Sequence, residues 1–349
     1  MPEEQVAEPI VTPEAAPDAR GAPLTSRMAT LDAARFVAAI AIVWLHSPES
    51  ELLKRFSALS GFAVPFFTMS AVLLVFQGAR RDPTRPLGTY ALSRVRRIYV
   101  PFLVWTVIYL LIRNLKHAIL SHEPIVRPNP SMLLAGSAHH LWFLPFILVL
   151  TIVAFAAAKL VARSTSPAIA WTLAIVLLLA GVLCGRTGPQ WFADWYLLNR
   201  TWAASPAIAW GFALAIVYPL LPDALWQNRA LSFFGVAIWV GCAALSVPFG
   251  SRFLLPENLA GLGFFILSLA RWTDLQPLVV RLAGLGSLAY GVYLSHIMFV
   301  EGVQAIAARA GIRQVAWLDV VVFLLSATLA IGFVRAVSGT KLGRWLLPA

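Results

Sequence analysis

The feature that most constrains this chain is a succession of ten apolar segments, each close to the roughly 20 residues an α-helix needs to cross a bilayer. They begin near residues 29, 59, 97, 140, 167, 202, 231, 257, 282 and 315. In hydrocarbon every backbone N–H and C=O has to be satisfied within the protein, so segments of this kind are predicted to be helices. The expected fold class is all-α, a polytopic membrane helical bundle of about ten transmembrane helices. The eighth segment, Glu257 to Trp272, is the shortest.

The polar residues fit that reading. Only 12% of the 349 residues are charged and 59% are hydrophobic, whereas soluble domains carry about 25% charged residues. The net charge of +11 would suggest nucleic acid in a soluble protein. Here the basic residues fall between the apolar runs, as the positive-inside bias requires, and no nucleic-acid partner is expected. With the N-terminus inside, the tails and even-numbered loops hold more Lys and Arg than the odd-numbered loops, much of it in Arg80, Arg81, Arg85, Arg94, Arg96 and Arg97. Both termini are therefore expected in the cytoplasm.

Residues 1–27 are acidic and rich in Pro and Ala, without the basic start and apolar centre of a cleavable signal, and read as a disordered cytoplasmic tail. Residues 28–337 form one membrane domain and 338–349 a short cytoplasmic tail. No internal repeat at a fixed period is present. Cys184 and Cys242 stand alone in apolar runs, so neither a disulfide framework nor a metal site is expected. Pro65, Pro101, Pro145, Pro206 and Pro219 predict kinks and a wet interior.

Ionisable residues inside a membrane helix are costly, and each is a functional hypothesis. The first segment has Asp32, Arg35 and His46. Eleven residues separate Arg35 from His46, three turns plus about 20°, which puts both on one face about 16 Å apart. Asp32 is placed to pair with Arg35. Taken singly, Arg35 could snorkel and His46 could merely open a loop; the shared face and the acid partner favour function. In LSRVRRIYVP, Arg94 and Arg97 have the spacing to share one helical face and hold phosphate. Arginines at a helix end are also ordinary topology anchors, and spacing alone favours that reading. His139, His140 and Trp142 open the fourth segment at the same side as His46, where they fit an aromatic belt and a sugar-binding surface equally well. His296, in LAYGVYLSHIMFVEG with Glu301 beyond it, reads as a packing residue. No P-loop, GxSxG, HExxH or strand-borne GxGxxG is present.

Five pieces in order, LDAARFVAAIAIVWLHS, VPFFTMSAVLL, SRVRRIYVPFLVW, HHLWFLPFILV and YGVYLSHIMF, together resemble the acyltransferase-3 family of integral membrane acyltransferases. The resemblance implies a ten-helix bundle in the bacterial inner membrane that moves an acyl group, acetyl in the first instance, from cytoplasmic acyl-CoA to a glycan hydroxyl. Sugar or polysaccharide acceptors are implied, lipid-linked ones included, with acetyl-CoA as co-substrate and no bound cofactor. On this resemblance His46 matches the essential histidine, Arg35 its arginine partner supported by Asp32, and Arg94 and Arg97, with Arg96, the arginines associated with the acyl donor. His140 and Trp142 match the family's HLWFLP-type segment, and as a Trp face beside imidazoles they are the expected acceptor-binding residues. Many members have an Asp before the Phe-Phe of the second helix and Ser-Gly after it; here Val64, Pro65 and Ser70-Ala71-Val72 stand there. A mechanism needing that acid does not transfer, and the Val-Pro form resembles the sugar O-acetylase subgroup, fucose 4-O-acetylase-like proteins among them. Some relatives also have an SGNH domain, which these residues do not include, so transfer is expected directly to the acceptor or through a separate protein. A glycan transporter or flippase is the rival reading; it would be expected to show paired halves, and none are visible.

Overall fold

The computed structural model describes residues 26–121, 124–164, 166–186, 196–249, 254–270, 276–312, 315–341 and 343–347. The acidic tail read over residues 1–27 lies almost wholly outside them. Described residues form helices and connecting turns, with no strands among them. In chain order the helices are α1 Ser26–His46, α2 Glu51–Ser57, α3 Ala63–Arg81, α4 Leu87–Arg94, α5 Val100–Lys116, α6 Met132–Ala135, α7 Phe143–Ser164 and α8 Pro167–Arg186. There follow α9 Tyr196–Ala203, α10 Ser205–Val217, α11 Asp223–Gln227, α12 Arg229–Phe249, α13 Leu254–Leu269, α14 Gln276–Leu285, α15 Ala289–Arg309, α16 Ala316–Ser338 and α17 Gly343–Leu346.

Eight of the resulting helical stretches are long and apolar enough to cross a membrane. α9 and α10 act together as a broken ninth, bent by 43° at Ala204. α13, on the segment with the shortest apolar run, stays short at Leu255–Leu269. The length criterion therefore supports eight spans, or nine with the bent pair.

Prolines mark where helices begin more than where they bend. Pro65, Pro101, Pro145 and Pro206 each fall in the first turn of α3, α5, α7 or α10, where a missing N–H costs no helical bond. Among the described residues, the one broken helix pair bent by more than 40° is α9–α10. Pro101 has a second effect: it cannot donate to the carbonyl of Arg97, four residues earlier. The chain there opens into a π-helical turn, Val95–Tyr99, and the Tyr290 hydroxyl takes the freed Arg97 carbonyl at 3.4 Å.

The core lies between α1, α3, α10, α13 and α15, around fully buried Phe66, Phe76, Phe265, Trp210 and Leu294. α12 and α13 approach by backbone: a Cβ on Gly263 would stand 2.5 Å from the Trp239 nitrogen. Small residues at such crossings let van der Waals packing hold helices together in lipid, where no hydrophobic drive operates between them. α1 meets the turn before α15 in the same way, with Gly286 against the Asp32 backbone. The C-terminal residues pack rather than trail, since Leu346 is buried and its carbonyl accepts from the Trp105 indole at 3.0 Å.

Candidate active site

α1 runs unbroken from Ser26 to His46, so the stripe read from the sequence is real. Arg35 donates to Asp32 at 3.1 Å near one end, and His46 is the last residue at the other. An uninterrupted helix keeps the two about 16 Å apart, so they cannot act on one carbonyl. Asp32 and Arg35 are partly exposed, at 28% and 36% of the side chain.

Four imidazoles that are scattered in the sequence gather at the His46 end. His46 Nδ1 and His139 Nε2 are 3.2 Å apart, and their rings meet edge on at 4.7 Å. His296 lies 5.4 Å from His46 between centroids, and His140 lies 5.0 Å from His296. His139 and His140 are 6.0 Å apart, so the four rings close into one cluster, with His139 exposed and His296 and His140 buried. Among the described residues no three or more His, Cys, Asp or Glu side chains are arranged to hold a metal ion.

The chain that carries these rings is fixed by its surroundings. The Tyr196 hydroxyl, from α9, donates to the His139 carbonyl at 2.8 Å, and the Tyr293 hydroxyl donates to that of His140. Gly136, with φ of +77°, turns the chain back into the bundle and packs its α-carbon against Leu141; the Ser137 hydroxyl then ties the loop to the Thr106 carbonyl. Beyond His46, the Gln304 amide donates to the Ser47 carbonyl at 3.1 Å, and buried Asp319 accepts the backbone N–H groups of Glu49 and Ser50. Burial, with His296, His139 and His46 nearby, holds His140, in the loop before α7, well below the ordinary histidine range.

His140 and Trp142 do not stand at an open surface. They are 4% and 9% exposed, His140 against Tyr109, Tyr293 and His296 and Trp142 against Phe143 and Phe146. The exposed ring is His139, beside Tyr196 and Arg200, whose guanidinium lies 5.5 Å over the Tyr196 ring.

The arginines lie at the opposite end of the same bundle. Arg94 closes α4 with its guanidinium 4.9 Å over the Tyr90 ring, which stacks on Phe155 at 4.0 Å. Arg96 and Arg97 are exposed in the π-helical turn, so the stretch from Arg94 to Arg97 is not the regular α-helical face that their spacing predicts. Arg85 and Lys159 lie over the same two rings, giving a concentrated positive face that suits an anionic ligand.

The Acyltransferase domain family matches residues 28–336. The chain belongs to the acyltransferase-3 family. It is a membrane acyltransferase built of apolar helices. No curated protein and no solved structure matches the chain. His296 is the residue that the sequence did not bring to the site: Tyr290, Tyr293 and Ser295 beside it offered local partners for a packing histidine, and nothing in its spacing relates it to α1.

Proposed function

We propose that this protein is an O-acetyltransferase of the cytoplasmic membrane that moves the acetyl group of acetyl-CoA to a hydroxyl of a sugar or polysaccharide, lipid-linked acceptors included. The observation that carries the reading is the His46–His139 contact at 3.2 Å at the end of the Arg35 stripe. One proton serves that contact. When His46 Nδ1 donates to His139 Nε2, His46 Nε2 is left as a lone pair, the form a general base needs. His139 then orients the base as a third group orients the histidine of a nucleophile dyad. Drawing the hydroxyl proton in the transition state contributes typically about 10²–10⁴-fold.

In this reading the phosphates of acetyl-CoA meet Arg94, Arg97 and Arg96, and the thioester extends past Arg35, held by Asp32, towards His46. The arginine face is on the cytoplasmic side, as the basic bias of the loops requires. The acceptor enters beside His139 and Tyr196, with His140 and Trp142 forming the wall behind. The sugar O-acetylase resemblance at Val64-Pro65 supports a saccharide acceptor.

The test uses purified protein in liposomes with radiolabelled acetyl-CoA and an extract of lipid-linked and polymeric glycans. Label should pass to saccharide with the wild-type protein and be lost with His46→Ala at unchanged thermal unfolding. Full transfer by His46→Ala would remove the base assignment; no transfer by either, with no thermal protection by coenzyme A, would remove the reading.

A further inference from the structure

His296 is buried completely in α15, and its two nitrogens have opposite fates. Nδ1 lies 2.7 Å from the Tyr293 carbonyl. A carbonyl only accepts, so Nδ1 carries the hydrogen and Nε2 is left as a lone pair. That Nε2 has no partner among the described residues. A buried polar atom in this state costs free energy unless something meets it in the working protein. A packing histidine would have both nitrogens satisfied.

Its place along α15 gives the lone pair a use. Tyr290 touches Arg97, and Gln304 touches the residue after His46. His296 lies between them, about 9 Å up the helix from Tyr290 and about 12 Å short of Gln304. A donor held at the arginines and an acceptor held at His139 would therefore approach His296 and His46 from opposite sides, with the two rings 5.4 Å apart.

We propose that His296 carries the proton between the two halves of the reaction, taking it at Nε2 from His46 and delivering it to the sulfur of the departing coenzyme A. The proposal rests on the acyl-transfer reading above. The acceptor O–H bond breaks as its oxygen attacks the thioester carbon, and the proton passes to His46. The C–O bond forms, the C–S bond breaks with its electron pair on sulfur, and the proton moves through His296 to that sulfur. Nothing is oxidised or reduced, and both imidazoles return to their starting form. While charged, His296 keeps its Nδ1–H on the Tyr293 carbonyl, which stabilises the cation. The further ring, His140, also with both nitrogens unpartnered, keeps the far side of His296 polar.

The test compares His296→Asn with wild type in the liposome assay. Asparagine keeps a donor for the Tyr293 carbonyl and removes the second nitrogen; His296→Gln, which keeps more of the bulk, carries the same test if the first variant unfolds early. The expected result is a fall in kcat of about 100-fold with the KM for acetyl-CoA within a few-fold of wild type. Groups acting in series are not additive, so His46→Ala with His296→Asn should be no slower than His46→Ala alone. A wild-type kcat in His296→Asn, or losses that multiply in the double variant, would overturn the relay while leaving the acyltransferase reading intact. Absence of transfer by the wild-type protein would instead strike the reading on which the relay rests.

Discussion

The Asp319 carboxylate, at the start of α16, receives the backbone N–H of Ser50 at 3.1 Å and also its hydroxyl. With the Glu49 N–H at 2.9 Å on the other oxygen, one buried side chain fixes the turn that leaves His46. His46 is the last residue of α1, where helices fray, so its ring is only as well placed as the chain that follows. Asp319→Ala should leave three donors without their acceptor and lower kcat by about 10- to 100-fold, because small misplacements of a catalytic group are expensive. The KM for acetyl-CoA should stay within a few-fold, since the arginine face is untouched. Asp319→Asn, which keeps one acceptor oxygen, should fall between. Steady-state kinetics on the three proteins decides it, and a wild-type kcat in the alanine variant would show that α1 holds His46 unaided.

Arg94 is held in place by Tyr90, which is itself clamped against Phe155. A guanidinium fixed over a ring has lost its rotamer freedom before the ligand arrives, which favours tight anion binding. Charge-assisted hydrogen bonds to phosphate contribute about 1.5–3 kcal/mol, so Arg94→Gln should raise the dissociation constant of coenzyme A by roughly 10- to 100-fold. Arg96→Gln, in the exposed turn, should cost less. Calorimetric titration of coenzyme A into detergent-solubilised protein measures both, and equal effects would remove the special place given to Arg94.

Gly286 sets how closely α1 can approach the turn before α15. A Cβ there would stand 2.7 Å from the Asp32 carbonyl oxygen and 2.9 Å from its Cβ. Gly286→Ala should therefore push the Asp32–Arg35 end of α1 away and cost about 1–3 kcal/mol, the usual range for overpacking. Gly284, two residues earlier, has nothing within 4 Å of the same position, and Gly284→Ala should be neutral or slightly stabilising. Thermal unfolding of the two variants in one detergent tests the contrast, and two equal melting curves would count against it.

The parts of this protein that were legible in its sequence are those set by a single element. Bilayer thickness dictates the length of apolar runs, so helices appear at all ten predicted places, although α13 is too short to count as a span. Helical geometry relates Asp32, Arg35 and His46 within α1, and the pair at 3.1 Å follows from spacing alone. The arrangement around Arg94 and Arg97 departs from the expected α-helical face because Pro101 withholds a hydrogen bond from Arg97, an effect visible in the sequence once that carbonyl is considered. What was not legible is the meeting of elements. His296 and His46 lie on helices far apart in the chain, and no periodicity within one helix signals which element of another a buried imidazole faces. Asp319 was hidden for the same reason, since its partners are backbone groups, which have no sequence.

His140 offers a measurement that needs no substrate. Its ring is buried against His296, Tyr109 and Tyr293, and burial is the main cause that holds it well below its ordinary value of 6.5. In the unfolded chain it binds a proton once the pH falls below about 6.5; in the folded protein it does not. The unfolded state therefore gains protons as the pH drops, and stability present above that value is lost below it. The slope for one such group reaches about 1.4 kcal/mol per pH unit. Thermal unfolding in detergent should show a melting temperature that declines from pH 7 towards pH 5, and His140→Phe should decline less steeply over the same range whatever its absolute stability. Parallel slopes for the two proteins would mean that His140 takes up its proton while folded, and the buried side of the histidine cluster would then have to be open to water.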